Sequence, residues 1–333
     1  MFGQPMSSDG GLKMREIISL LFLGLQDSSI LALVTLGIVI IYKTSFTTNF
    51  AQGSIATISA YTVTALFDTW LKQYFAIEQA WIGLVISIFI GVIIGAGFGV
   101  FIDTMIIRKS KYSNPVSKQM ITMGIILMIS GLISVVFTSL RMETRTPRAL
   151  VPWNITLKFA GQPNLTLSGH GFLAIIISTV VISAIFIALK YTKWGIGVRA
   201  TASNEKVAGM MGINTKMITA MSWGLAGGLG ALAASLYAPL IFTLGPDMMV
   251  IMQVNGFLAG VLGGFYTFGG PIAAALMITF ARVIIKDLLF GVNINILGSN
   301  IDQWVLTFVY FLLLIVILIK PVGIFGKKIA KKV

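Results

Sequence analysis

Long apolar runs constrain the fold of this chain more than any other feature. Each run has about 17 to 25 residues, enough for a helix with a rise of about 1.5 Å per residue to cross a ~30 Å hydrocarbon layer. The runs cover residues 28–44, 47–70, 79–102, 119–140, 171–189, 217–241, 248–265, 268–286 and 301–320. They lack the ten-residue alternation of barrel strands. We therefore predict an all-α, polytopic membrane bundle of about 8–10 transmembrane or half-spanning helices, forming one domain over residues 1–333.

The composition excludes most soluble classes of protein. Charged residues make up 11% of the 333 residues and hydrophobic residues 56%, whereas soluble domains carry about 25% charged residues. Cysteine is absent and His170 is the single histidine, which excludes disulfides, thiolate metal sites and multi-histidine metal sites. We predict no catalytic residue, cofactor or metal site.

Basic residues cluster in the loops between the apolar runs, and the net charge is +13. The basic segments 103–118, 190–216 and 321–333 are separated by even numbers of predicted spans, so all three lie on one side, which the positive-inside rule makes cytoplasmic. The C-terminus is then cytoplasmic and the N-terminus extracytoplasmic. The loop 141–170 must be external although it is also basic. This pattern indicates contact with a lipid membrane and not with nucleic acid.

The N-terminal segment, residues 1–27, contains a short apolar stretch at 17–25 followed by polar residues. No small-residue cleavage site follows, which argues against a signal peptide. We predict an uncleaved interfacial or half-inserted helix that is separate from the first span.

Glycine and polar residues interrupt several predicted spans. The ladder Gly91, Gly95 and Gly99 predicts close helix packing. Residues 49–54 fit an ordinary loop or the start of a half-helix inside the membrane, and residues 262–271 fit a tight turn or a broken helix. From these segments and the span beside them we select candidate residues for a substrate pathway: Asn49, Gln52, Ser54, Asn255, Gly263 and Gly264.

Ionisable residues lie near the ends of the predicted spans or in loops, as Asp27, Arg282 and Lys286 do. The absence of a buried proton relay disfavours an ion-coupled secondary transporter, which remains the rival hypothesis. A membrane enzyme would depend on His170 and Glu143, the only candidate pair. We interpret His170 as a solvated loop residue.

The loop 195–214 predicts a short, capped helix. Ser203 is the candidate N-cap, Glu205 suits the first turn, and Gly212 fits the position after the C-cap. Val207, Met210 and Met211 form an apolar stripe. Such a stripe fits the groove of a partner protein or the surface of the membrane.

Four motifs then carry a resemblance that covers about residues 20–326. The pattern G-x-R-A-x-A-x-N-x3-A-x3-G-I-N runs from Gly197 to Asn214, and N-F-A-Q-G at 49–53 has glutamine where a related motif has histidine. Residues 260–271 resemble A-x-L-G-G-x-G-S-x-x-G-A, and 320–326 resemble R-P-x-G-L-F-G. Together they resemble the permease subunits of branched-chain amino-acid (Leu/Ile/Val) ABC importers, with a layout closest to the H-type subunit.

The resemblance implies a multi-pass permease in a bacterial or archaeal cytoplasmic membrane. It implies a second homologous permease subunit, two cytoplasmic ABC ATPases and an extracytoplasmic substrate-binding protein as partners. The chain itself lacks a G-x4-G-K-[ST] loop, so we expect a transport subunit and not an enzyme. Branched-chain amino acids are the expected substrates, with urea, short amides, nucleosides or sugars as alternatives. The residues expected to couple to the ATPases are Arg199, Ala200, Ser203, Asn204, Glu205, Val207, Ala208, Met210, Met211 and Gly212.

Overall fold

The computed structural model describes residues 8–75, 79–110, 114–139, 145–159, 163–289, 295–296, 299–300 and 304–326. Within these ranges the chain is almost entirely helical. The helices are α1 Ser8–Ser45, α2 Gln52–Leu66, α3 Ala80–Phe101, α4 Pro115–Ser139, α5 Gly169–Tyr191, α6 Lys193–Ser203, α7 Glu205–Met210, α8 Thr215–Ile241, α9 Val250–Gly263, α10 Gly269–Leu289 and α11 Val305–Ile319. Helices α2 and α3 continue into π-helical turns at Phe67–Leu71 and Ile102–Ile107.

Two short antiparallel hairpins accompany the helices. Strand β1 (Asn154–Leu157) pairs with β2 (Leu165–Ser168), with Asn154 opposite Ser168, and β3 (Asn295–Ile296) pairs with β4 (Ser299–Asn300). The first hairpin lies in the loop that sequence analysis placed outside the membrane.

The predicted helical membrane fold is confirmed. Each apolar run contains a helix, and five helices are long and apolar enough to cross a membrane: Met14–Ser45, Ala80–Ile107, Pro115–Phe137, Gly169–Tyr191 and Thr215–Ile241. Helices α9 and α11 are apolar but shorter. The chain is therefore a multi-pass membrane protein.

The prediction of a separate N-terminal helix was wrong for the described part of residues 1–27. Helix α1 continues without a break through the polar residues that were expected to end it. The hydroxyls of Ser28 and Ser29 donate to the carbonyls of Leu25 and Gln26, at 3.1 and 2.8 Å. Because their own helix satisfies these side chains, the polar cluster does not interrupt it.

Helix α8 forms the centre of the bundle and packs against α1, α2 and α3. The glycine ladder of α3 makes this packing close. A Cβ atom added to Gly99 would lie 2.1 Å from the carbonyl oxygen of Trp223, and one added to Gly95 would lie 2.8 Å from that of Gly227. The ladder therefore packs two helices of the same chain, as small residues do between membrane helices.

Contacts between loops gather several of them at one end of the bundle, where Lys43 and Tyr266 line the same cavity as Arg199 and Ser203. Arg108 donates to the carbonyl of Lys216, which joins the basic loops 103–118 and 190–216. The N–H of Ile324 donates to Leu262 O at 2.7 Å, and Lys43 Nζ donates to Tyr266 O at 2.5 Å. These contacts bring the start of the C-terminal tail, the α9–α10 turn and the end of α1 together; residues 327–333 of the tail lie outside the described ranges.

Candidate functional site

Helix α6 is fixed against the end of α5, and this orients the loop that follows it. Thr192 caps α6 by accepting a hydrogen bond from the Gly195 N–H at 3.1 Å. Arg199 donates to the carbonyl of Lys190 at 3.3 Å. A Cβ atom on Gly195 would lie 2.4 Å from the carbonyl oxygen of Ala188. The close approach of α6 to α5 thus depends on glycine at this position.

Helix α7 is short but has a specific cap at each end. The predicted N-cap, Ser203, is instead the last residue of α6, and Asn204 caps α7 by accepting from the Val207 N–H at 3.1 Å. Asn204 has extended backbone angles (φ −161°, ψ 106°), as an N-cap requires. Sequence reasoning chose the wrong residue because it did not predict α6, of which Ser203 is the last residue.

The C-terminal end of α7 is a Schellman motif. Gly212 has φ +83°, its N–H donates to Gly209 O at 3.1 Å, and the N–H of Ile213 donates to Ala208 O at 3.1 Å. These two bonds satisfy carbonyls at the helix end. The predicted position of Gly212 after the C-cap is confirmed.

Three apolar side chains on α7 and its C-cap form a surface that no other described residue of this chain covers, which we call the coupling surface. Val207 is 52% exposed, Met210 84% and Met211 78%. Ala208, on the opposite face, is buried. Two caps and an anchored α6 therefore hold an apolar surface in solvent or against another molecule.

The remaining predicted coupling residues surround this surface. Arg199, Ser203 and Glu205 are exposed, and Ala200 is half-buried. Their role in binding a partner stays a prediction.

The start of α2 lies deep inside the bundle. The side-chain amide of Gln52 is 3.4 Å from Val34 O and 3.5 Å from Ala226 O. Val34 lies 11 residues before the end of α1, about 16 Å along its axis. Of the two interpretations of residues 49–54, a helix that begins inside the membrane-spanning region is therefore the correct one.

Gln253, which sequence reasoning missed, stabilises this half-helix start. Its side-chain oxygen accepts from the Gly53 N–H and its amide donates to Phe50 O. Asn49 caps the segment by accepting from the Ala51 N–H at 3.0 Å. These side chains satisfy backbone groups that would otherwise lie unpaired in an apolar region. Nothing in the sequence near Gln253 indicates its partners, which lie about 200 positions away.

All six predicted pathway residues are buried in the chain. Asn255 accepts from the Tyr310 hydroxyl at 3.0 Å, and Ser54 lies in the first turn of α2. Gly263 and Gly264 end α9 in a tight turn, where Gly264 adopts φ +75°. Their place in a substrate pathway stays a prediction.

His170 is not the solvated residue that we predicted. It is buried at the start of α5, where Nδ1 accepts from the Leu150 N–H at 3.1 Å and Nε2 lies 2.9 Å from Leu236 O. Since Nδ1 accepts, Nε2 carries the proton and donates. His170 thus joins Leu150, in the loop before β1, to α8. Glu143, its suggested enzymatic partner, lies outside the described residues.

Asp27 and Arg282 also depart from expectation, because both lie within helices and not near helix ends. They form a salt bridge between α1 and α10. In the described part of the chain, no group of three or more His, Asp or Glu side chains that could hold a metal ion is present.

Comparison with known proteins identifies the family. The sequence profile described as "Branched-chain amino acid transport system / permease component" matches residues 20–318. The chain belongs to this family. It is therefore a membrane-spanning permease component of the ABC-importer type.

Individual relatives cover almost the whole permease. The high-affinity branched-chain amino acid transport system permease protein BraD of Pseudomonas aeruginosa is 23% identical over 310 residues, which are 93% of this chain and 96% of BraD. LivH of Escherichia coli is 23% identical over 94% of this chain and 96% of LivH. The probable LivH of Methanocaldococcus jannaschii is 28% identical over 90% of this chain and 89% of that protein.

A solved structure, PsaBC from Streptococcus pneumoniae in complex with Fab, is also similar. It shares 13% identity and a TM-score of 0.48 with the permease, over 94% of this chain and 96% of that chain. This likeness is too weak to carry an inference about the permease.

Proposed function

We propose that this permease forms half of a translocation pathway for branched-chain amino acids, driven by two ATPases on separate chains. The names of BraD and the LivH proteins, which align over nearly their full length, support this substrate class. A second, homologous permease subunit completes the pathway, and an extracytoplasmic binding protein delivers the substrate.

The coupling surface is the observation that carries the proposal. An isolated six-residue helix is unstable in water, yet α7 is capped at both ends and bonded to an anchored neighbour. This arrangement holds Met210 and Met211 outward, and methionine adapts well to a partner's surface. A rigid apolar projection of this kind suits the transmission of force from an ATPase to the spans.

The basic loops give the orientation in this proposal. The coupling surface shares its end of the bundle with Arg108 and Lys216, so the positive-inside rule places it in the cytoplasm, where ATP is available. The C-terminus lies on the same side and the N-terminus on the opposite side, in the cytoplasmic membrane of a bacterium or archaeon.

Uptake measurements distinguish this function from ion-coupled transport. Proteoliposomes contain both permeases and both ATPases, with ATP inside and leucine-loaded binding protein outside. We expect leucine uptake to continue when proton and sodium gradients are collapsed by ionophores, and to stop when ATP is replaced by a non-hydrolysable analogue. Uptake that follows an ion gradient and ignores ATP would overturn the proposal. Urea, short amides, nucleosides and sugars, each with a matching binding protein, serve as alternative substrates.

A further inference from the structure

The ion pair between Asp27 and Arg282 lies within the spans, towards the end away from the coupling surface. Asp27 is 18 residues from the end of α1 and Arg282 is 13 residues from the start of α10, which are about 27 and 20 Å along the helix axes. Both distances start from the end where Lys43 contacts Tyr266. In a hydrocarbon layer of about 30 Å the pair therefore lies in the half away from the coupling surface.

Charges at this depth need a reason, because an ionisable group in the membrane is costly and usually faces a pathway or another charge. The two side chains are only partly covered: Arg282 is 25% exposed and Asp27 21%. Arg282 has five N–H donors. Within the described residues its hydrogen bond is to Asp27, and its other N–H groups can donate to a second anion.

The pair borders a cavity of about 580 Å³, which we call the outer cavity, between α1, α10 and the start of α11. Its lining includes two basic and two acidic side chains: Arg282, Lys286, Asp27 and Asp287. Lys286 and Asp287 are exposed. The outer cavity thus offers charges of both signs to one ligand.

The rest of the outer cavity is mainly aliphatic. Leu20 and Leu23 lie on the same face of α1 as Asp27, by their spacing of three and four residues. Val305 and Leu306 in the first turn of α11 contribute further apolar surface. A complementary ligand carries a carboxylate, an ammonium group and an aliphatic side chain.

We propose that the outer cavity is the entry site for a zwitterionic α-amino acid with an aliphatic side chain. Arg282 and Lys286 bind the carboxylate, Asp27 and Asp287 accept hydrogen bonds from the ammonium group, and the leucines contact the side chain. This site rests on the proposed transport function and favours a zwitterion over uncharged ligands such as urea or sugars, which cannot make charge-assisted hydrogen bonds to side chains of both signs. A smaller cavity of about 10 Å³ also borders the ion pair, and its lining is mainly apolar, with Asn255 and Thr279 as further polar residues.

Photolabelling locates the site directly. A leucine analogue with a diazirine in its side chain keeps both charged groups and is supplied, through the binding protein, to the complete transporter. We expect adducts on the α1 peptide that contains Leu20 and Leu23 or on the start of α11, removed by excess leucine. Adducts confined to other parts of this chain, or no adduct on it, would overturn the site.

Neutralising the pair tests its contribution to transport. The double variant Asp27→Asn/Arg282→Gln leaves no unpaired charge, so the complex should assemble normally. We expect kcat/KM for leucine uptake to fall at least about tenfold, because charge-assisted contacts to the substrate are lost. The matched control is Asp68→Asn/Arg145→Gln, which removes a different ion pair (3.5 Å), between the π-helical turn after α2 and a loop, that does not line the outer cavity. This control should retain kcat/KM.

The reciprocal exchange Asp27→Arg/Arg282→Asp separates substrate binding from a structural role. If the pair has only a structural role, the exchanged variant regains full leucine uptake, which would overturn the proposal. If the pair binds the substrate, the exchange reverses the polarity of the site and leucine uptake stays impaired. If the neutral variant does not assemble, Arg282→Lys replaces it, because lysine keeps the positive charge. This variant should raise KM for leucine with little change in the amount of assembled complex, and an unchanged KM would contradict the site. A wild-type transporter that shows no ATP-driven uptake would refute the proposed transport function, and this result is distinct from a failure of the outer cavity as the entry site.

Discussion

Replacing two residues of the coupling surface by aspartate should detach the ATPases and leave the spans folded. Val207 occupies the first turn of α7, where an acidic residue is favourable for the helix. Met211 is the exposed C-cap, where an aspartate costs the helix only about 0.3–1 kcal/mol. In Val207→Asp/Met211→Asp, loss of ATPase binding would therefore report lost contact with the partner and not loss of the helix.

The exposed fractions of these side chains set the size of the effect. Fully burying a valine or methionine side chain contributes about 1.5–3 kcal/mol. With 52% of Val207 and 78% of Met211 available for burial, the two side chains together offer about 2–4 kcal/mol. At 1.4 kcal/mol per tenfold change, we expect the Kd for the ATPases to rise by about 30- to 700-fold.

The assay is titration of the purified permease pair, in nanodiscs, with fluorescently labelled ATPase. Val207→Ile/Met211→Leu is the matched control because it keeps the apolar surface, and it should bind within a few-fold of wild type. The thermal midpoint of both variants should equal that of wild type. Aspartate variants that bind the ATPases with wild-type Kd would refute the assigned role of α7.

Three further predictions follow from the packing. Gly99→Ala should lower the thermal midpoint by the equivalent of about 1–3 kcal/mol or prevent folding, because its Cβ would meet Trp223 O. The control Gly97→Ala, where a Cβ would have nothing within 4 Å, should be neutral or slightly stabilising. Equal midpoints for the two variants would contradict the packing. His170→Ala should cost about 1–3 kcal/mol for each buried backbone group left unpaired, measured as a lower midpoint, and a wild-type midpoint would contradict the bridging role. Gly212→Ala should cost about 1–2 kcal/mol at the end of α7 and speed amide exchange there, with the spans unchanged; unaltered exchange would argue against the Schellman motif.

Hydrophobic patterning predicted the helices of this permease well because the lipid environment demands long apolar segments. It failed at residues 26–29, where polarity normally ends a span. Local hydrogen bonds from Ser28 and Ser29 and the distant partner Arg282 satisfy this segment. A partner 255 positions away leaves no local trace in the sequence.

The candidate sites show the same division between local and distant information. The cap at Gly212 depends only on backbone angle and was predicted correctly. Gln253 and His170 act on backbone groups of distant segments, and their roles became visible only in three dimensions. The outer cavity likewise combines α1, α10 and α11, so residue spacing in the sequence could not reveal it.

The central claim is that α7 transmits force from separate ATPases, and site-specific cross-linking tests it most directly. The chain contains no cysteine, so Met211→Cys introduces a unique thiol that can carry a short bifunctional reagent in the assembled transporter. We predict cross-links from residue 211 to an ATPase subunit, with a yield that changes between the nucleotide-free and ATP-bound states. Cross-links only to lipid, or labelling of this thiol by an impermeant reagent from the extracytoplasmic side, would contradict the claim.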